Sequence, residues 1–492
     1  MAKPHIIIFN PDQWRGDVVG HLGNLAASTP HLDQAVSDGG FVSFRNAFCQ
    51  NPVCTPSRCS FMTGWYPHVR GHRTMNHMLH IEEGEPVLLN TLKNNGYQVW
   101  WGGKNDLVPL EHGYEAYCNI RNVPQDALPQ YGKDDSWRGA PSDDTFYSFY
   151  AGKIDKGEAT HYHDWDWANV ESACRFIREY QDERPLCLYL ALSYPHPPYG
   201  VEEPWYGTTP RHQLPPRIPT PDWNTAGKPA LLQELQRRQG LEAWTEDQWS
   251  ELRGTYYDAC ARVDYQFGLV LAALKEAGMY DQSAIFFFSD HGDFTGDYGL
   301  VEKTQNTFED CLARVPFLMK PPDDVPCCPR ISEALVELID FTATVYDFAE
   351  IDPGYDHFGH SLRRLISGET DFHRDAVFCE GGRRPGETQA MELSALGVMP
   401  EKSLYWPRMS LQCSDEAPWH SKAVMCRTLD AKYICRLGEQ DEFYDLKKDP
   451  TESHNRIDDS SCQERVAAMK ERLLRWWLET GDVIPHRIDK RG

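Results

Sequence analysis

The sequence predicts an α/β fold: a sandwich with a mainly parallel central sheet and helices on both faces, then a smaller C-terminal α+β domain with an antiparallel sheet and a helix. Short, β-rich apolar runs at 5–9, 98–101, 186–192 and 284–288, bounded by turn or polar residues, read as buried parallel strands. Helical patterns at 29–37, 87–94, 168–180 and 247–275 fall between them, and strands alternating with helices form a sheet covered on both faces. Beyond about residue 372 the texture changes to short strand candidates at 376–379, 422–428 and 432–436 and a final helix over 462–480.

The elements follow from local chemistry. Pro30 suits the first turn of the 29–37 helix, where its missing N–H is no loss. Two irregular stretches, 119–167 and 200–228, are longer than ordinary connections and rim a site or pack an interface. A chain of 492 residues exceeds one ordinary core, so we divide it into a catalytic α/β domain, 1–371, and a smaller domain, 372–492.

A formal net charge of −24 disfavours a nucleic-acid backbone or an anionic membrane surface as partner. An anionic substrate must therefore meet a few placed cations. Residues 1–9 enter a strand directly without a signal pattern, and no apolar run reaches the roughly 18 residues of a membrane span. The fifteen cysteines are irregularly spaced and form no paired zinc pattern, so most are expected as buried, reduced thiols. These features predict a cytoplasmic enzyme; self-association is left open.

Several polar groups fall at strand ends, where open α/β sheets collect ligands. Asp12 and Gln13 follow the first run, and Asp290 and His291 follow the run at 284–288. Together they would make an oxygen-rich set with one imidazole, suited to a divalent cation. His196 is held between Pro195 and Pro197, as a proton donor would be, while Lys104 and Lys303 follow other strand and turn segments. Each has a plainer reading alone: Asp12 as a cap, His196 as a loop histidine, the lysines as solvated surface groups. Cys54 opens a helix, where N–H groups and the dipole favour negative charge.

The stretch Cys54-Thr-Pro56-Ser-Arg58 with Thr63-Gly64 resembles the CxPSRxxxxTG signature of type I sulfatases of the alkaline phosphatase superfamily. Further matches are Asp12, Gly103-Lys104, His196-Pro197, Ser289-Asp290-His291-Gly292, Gly299-Leu300 with Lys303, and Tyr444 to Pro450. The resemblance implies an alkaline phosphatase-like sandwich and conversion of Cys54 to formylglycine by a formylglycine-generating or sulfatase-maturating enzyme. It implies that Asp12, Gln13, Asp290 and His291 hold one divalent metal ion with an oxygen of the modified Cys54. With a small anionic ester as substrate, Arg58, Lys104 and Lys303 would neutralise the transferred group and the nucleophile, and His196 would protonate the leaving oxygen.

Three positions depart from the usual sulfatase pattern. Gln13 stands where a second aspartate is common, Asp106 where a histidine follows the lysine motif, and His291 where many members have asparagine. The last makes Mn²⁺ as suitable as Ca²⁺. Gln13 and His291 also resemble the phosphonate monoester hydrolase and phosphodiesterase branch, in which Asn76 would meet the bound anion. His72 and His77 are expected at the pocket mouth, with Asn76, Asp106 and His72 forming the substrate-binding set. Sulfate ester hydrolysis is the first reading and phosphonate or phosphodiester hydrolysis the second. Direct use of Cys54 as a thiolate and a non-catalytic scaffold are the remaining alternatives.

Overall fold

A computed structural model describes residues 3–129, 136–392, 402–414 and 419–486. The strands, in chain order, are β1 His5–Asp12, β2 Val42–Phe48, β3 Gln98–Gly103, β4 Ile120–Asn122, β5 Tyr150–Ile154, β6 Leu186–Pro195, β7 Tyr199–Glu202, β8 Ser283–Phe288, β9 Arg314–Val315, β10 Phe317–Lys320, β11 Arg330–Glu337, β12 Val377–Gly381, β13 Ala423–Arg427, β14 Ala431–Arg436 and β15 Glu442–Asp445. The large sheet runs β11-β2-β10-β8-β1-β6-β3-β4, with β9 also paired to β2. Its pairs are parallel except those made by β9 and β10.

The four apolar runs predicted as strands are the contiguous centre, β8-β1-β6-β3. Their residues are buried on both faces: Ile6 and Ile8 of β1 join one core cluster, and Ile7 and Phe9 join the other. Helices Cys54–Thr63, Leu88–Asn94 and Ile339–Ala349 supply Phe61, Leu92 and Phe341 to the first. Helices Pro30–Ser37, Trp165–Arg178 and Glu246–Glu276 supply Leu32, Val170 and Phe267 to the second. Thr245 and Gln248 close a capping box at the start of the longest of these helices.

The expected irregular stretches contain regular structure. Residues 119–167 include β4 and β5 and the start of helix Trp165–Arg178, whose N-terminus Asp164 caps by accepting the Trp167 N–H. The second stretch overlaps β7, which pairs in parallel with β5. Strands β2 and β11 escaped the pattern because polar residues such as Arg45, Asn46 and Ser332 interrupt their apolar runs.

Within 372–492 the strands form an antiparallel sheet, β12-β13-β14-β15, of which β15 was not foreseen. Helix Gln463–Thr480 packs on it through Trp476, which stacks on Phe378 at 4.5 Å. A buried ion cluster ties this sheet to the large one. The Arg374 guanidinium donates to Glu337 at 3.0 Å and, through both Nε and Nη2, to Asp340, while Glu337 accepts the Phe378 N–H of β12 at 2.7 Å.

Burial alone would raise the Asp340 carboxyl pKa, but Arg374 and His373 hold it well below the ordinary carboxylate range. Its stabilising contribution is therefore full above the unfolded pKa of about 4 and is lost as pH falls toward the folded value. Arg374→Ala removes the guanidinium that two buried carboxylates share, leaving only His373 beside Asp340, and is expected to cost about 3–5 kcal/mol in denaturant unfolding.

Candidate active site

The site is assembled where β1 and β8, adjacent and parallel, deliver Asp12 and Asp290 to one end of the sheet. Helix Cys54–Thr63 begins there, and its first residue, Cys54, is 1% exposed. The thiol sulfur lies 3.2 Å from His291 Nε2, 3.4 Å from Asp12 Oδ1 and 3.6 Å from Lys104 Nζ. Burial first, and then the Asp12 charge, push the thiol pKa above its ordinary value, although Lys104 and Lys303 oppose the shift. Both burial and the Asp12 charge disfavour the thiolate form of the unmodified side chain.

Arg58, one helical turn after Cys54, is fully buried and joins the two carboxylates. Its Nε donates to Asp290 at 2.9 Å, Nη2 to Asp12 at 3.0 Å, and Nη1 to the Tyr189 hydroxyl at 3.1 Å. It thus serves as their counter-ion beneath the nucleophile, outside the set of side chains that line the cavity. The resemblance had placed it on the transferred group and the nucleophile; its contacts here are with the two carboxylates and Tyr189.

Gln13 takes a left-handed backbone, with φ of 67°, which turns the chain beneath the site. Its backbone N–H donates to Asp290 at 3.1 Å and its side-chain Nε2 to Asp293, while its side-chain Oε1 accepts the Lys303 ammonium at 2.7 Å. Lys303 also reaches His196 Nε2 at 2.9 Å. The other ring nitrogen of His196 lies 2.6 Å from the Pro197 carbonyl, so a proton on Nδ1 leaves Nε2 to accept from Lys303. Burial and the Lys303 charge hold the His196 pKa well below its ordinary value.

Lys104 donates to Asp12 at 2.7 Å and pairs with Asp106 at 2.8 Å. Burial opposes the charge on Asp12, but Lys104, His196, Arg58 and His291 together keep its pKa low. The His291 Nδ1 sits 2.9 Å from the Gly292 carbonyl; with the proton there, Nε2 presents its lone pair toward Cys54 and Asp12. Asp12, Cys54, Asp290 and His291 each offer a ligand atom, all within 4.8 Å of one another. Two buried carboxylates and an unprotonated imidazole nitrogen are a donor set that fits a divalent cation.

Cys54, Lys104, Asp106, His196 and Lys303 line one open cavity of about 550 Å³. Its other walls include Met75, Tyr405 and Arg408, which sequence reasoning missed. Arg408 bonds Glu302 at 3.1 Å and Glu392 at 3.3 Å, and Glu302 pairs with Lys303 at 3.2 Å, linking this wall to the lysine beside His196. Tyr405 and Arg408 come from the region assigned to the second domain, and no spacing to the strand-end motifs marks them. Asp293 had a signal: it stands three residues after Asp290, and it anchors Gln13 and the Tyr199 hydroxyl.

Other expected residues are not brought to this cavity. His72 bonds Glu85 at 2.7 Å and the His77 carbonyl at 3.0 Å, and Asn76 is an exposed residue that donates to the Met391 carbonyl at 3.3 Å. Neither lines the space in front of Cys54. His161, in the first of the two irregular stretches, stacks on Trp167 at 4.0 Å.

A two-faced α/β sandwich with clustered carboxylates, imidazole and cations around a helix-start cysteine defines a hydrolase of the alkaline phosphatase-like class. The chain belongs to the sulfatase family, whose profile matches residues 4–351. An arylsulfatase of Clostridium perfringens is 24% identical over 96% of this chain and 94% of its own length. Among solved structures, the phosphonate monoester hydrolase of Agrobacterium radiobacter aligns with TM-score 0.75 at 20% identity, covering 97% of this chain and 96% of that one. A 2-O GAG sulfatase aligns with TM-score 0.73 at 20% identity over 97% of this chain and 93% of its own. These two structural likenesses establish the fold, and the family match makes the protein a sulfuric ester hydrolase.

Proposed function

We propose that this protein hydrolyses the sulfate ester of a small organic or carbohydrate substrate, using a formylglycine made from Cys54 by a maturation enzyme. The observation that carries the reading is the convergence of Asp12, Asp290, His291 and Lys104 on the buried Cys54 side chain. Asp12, Gln13, Asp290, His291 and an oxygen of residue 54 would hold a divalent cation, Ca²⁺ or Mn²⁺. When present, formylglycine supplies an oxygen nucleophile with a second hydroxyl for releasing sulfate, and the cation offsets charge on it.

The chain's own groups divide the remaining work. Lys104, positioned between Asp12 and Asp106 and open to the cavity, neutralises charge on the sulfuryl oxygens. Asp106 orients that ammonium in place of the histidine common in the family. The Lys303–His196 pair delivers a proton to the leaving oxygen, with Pro197 fixing the ring through Nδ1. His196→Ala is expected to lower kcat by about 10²–10⁴-fold for esters of weakly acidic alcohols and far less for activated aryl esters. A series of leaving groups of graded acidity reads this directly.

A reducing, cytoplasmic setting, in which the substrate is a small imported ester, fits cysteines that are mostly buried. Phosphonate monoester or phosphodiester hydrolysis is the second reading, favoured by Gln13, Asp106 and His291. A panel of aryl sulfate, phenyl phosphonate and phosphodiester at matched leaving-group acidity separates the two. The first reading expects the sulfate ester to have the highest kcat/KM; sulfate turnover far below both phosphorus esters defeats it.

A further inference from the structure

Two short turns away from the catalytic cavity bring together His80, Glu82 and His112. A single carboxylate oxygen, Glu82 Oε1, lies 3.3 Å from His80 Nδ1 and 3.0 Å from His112 Nε2. One ligand atom from each residue lies within 4.8 Å of the others. In a tetrahedral zinc centre, bonds of roughly 2.0–2.1 Å place neighbouring donors about 3.3 Å apart. Two edges of the donor triangle are already near that length, and the third, within 4.8 Å, needs closure of at most about 1.5 Å.

We propose that His80, Glu82 and His112 form a second metal site, for a divalent transition ion of the zinc type, with water completing its coordination. Two imidazoles and one carboxylate favour such an ion over Ca²⁺ or Mg²⁺, which prefer oxygen donors. The side chains are 32%, 43% and 45% exposed, so an ion reaches them directly from solvent.

The backbone holds the donors in place before an ion arrives. The His80 N–H donates to Glu85 at 2.7 Å, and the turn Ile81–Glu83 closes with Gly84 N–H on the Ile81 carbonyl at 3.0 Å. The second turn, Leu110–His112, closes with Gly113 N–H on Leu110 at 3.1 Å. Leu79 N–H already joins the two segments at the Leu107 carbonyl, 2.9 Å away. A bound ion would therefore staple the 79–85 segment to the chain just after Asp106. It would do so without touching a residue assigned to catalysis.

Another surface group, His161, His163 and Glu171, is less convergent. Its histidines face different oxygens of Glu171 at 3.3 Å and 3.7 Å, and His161 is committed to Trp167 by stacking.

Equilibrium dialysis of the intact, chelator-treated protein against Zn²⁺ tests the assignment. The H80A/H112A protein is expected to bind one zinc per chain fewer than wild type, and H163A to bind the wild-type number. An unchanged count in the double variant, or the loss appearing in H163A instead, overturns the proposal. As a second, milder variant, Glu82→Gln titrated with Co²⁺ should lose a visible d–d absorption that wild type shows. Equal spectra from the two proteins would also overturn it. Sulfate ester turnover in these variants is expected to remain at the wild-type level, which distinguishes ion loss here from ion loss at the catalytic cluster.

Discussion

Cys54→Ala lowers kcat for sulfate esters by roughly 10⁴–10⁶-fold, the scale seen when a nucleophile is removed from an otherwise intact site. The cavity and its cations remain, so substrate still binds and KM changes little. Cys54→Ser is the more informative change. A serine oxygen would occupy nearly the position of the sulfur, between His291 Nε2 at 3.2 Å and Lys104 Nζ at 3.6 Å. It can accept a sulfuryl group, but it lacks the second hydroxyl through which formylglycine expels sulfate. The expected result is a burst of alcohol release stoichiometric with enzyme, then a stall, with a sulfated peptide detectable by mass spectrometry. Steady turnover by the serine variant at the wild-type rate would contradict this division of labour.

Arg58→Ala has the second largest expected effect, on both stability and activity. Asp12 and Asp290 are fully buried and share one guanidinium at 3.0 Å and 2.9 Å. Removing it leaves two neighbouring carboxylates in a site screened from water, a loss of about 3–5 kcal/mol in unfolding free energy. Their repulsion also displaces the groups that surround residue 54, so activity falls with stability. Arg58→Lys should rescue little, because a single ammonium cannot reproduce the planar fork that reaches both carboxylates and Tyr189. Chemical denaturation with and without added Ca²⁺ or Mn²⁺ measures the effect. Partial recovery of stability by the cation, with activity still low, matches a shared electrostatic role for Arg58 and the ion.

How far the site could be read from sequence depended on how each residue reaches it. Asp12, Asp290 and His291 were legible because a parallel sheet delivers the carboxyl ends of its central strands to one place, and those strands are continuous apolar runs. Helix Cys54–Thr63 shows the opposite case. Its ten residues carry the chain about 15 Å from the nucleophile, so closeness in sequence to Cys54 did not place His72 at the cavity. The chain returns at Met75, whose sulfur accepts the Thr55 N–H at 3.4 Å, and Asn76 just beyond points to the Met391 carbonyl instead.

The role of Arg58 was hidden for a different reason. Its partners depend on which two strand ends meet beneath it, and spacing along the chain does not report that. Tyr405 and Arg408 were invisible because a distant segment folds back over the site. Glu302 and Glu392 neutralise Arg408 there, a pairing that only the tertiary fold creates. In the sheet, β15 was missed because Glu442–Asp445 is short, and β2 because Arg45 and Asn46 break its apolar run.

The central claim is that the working nucleophile is an oxygen group made from Cys54. Mass spectrometry of the peptide spanning residues 54–58 in active enzyme, with aldehyde capture by a hydrazide, tests it most directly. The account predicts an aldehyde at position 54, present in proportion to specific activity across preparations made with and without a maturation enzyme. Fully active protein carrying an unmodified, alkylatable thiol at Cys54 would contradict it.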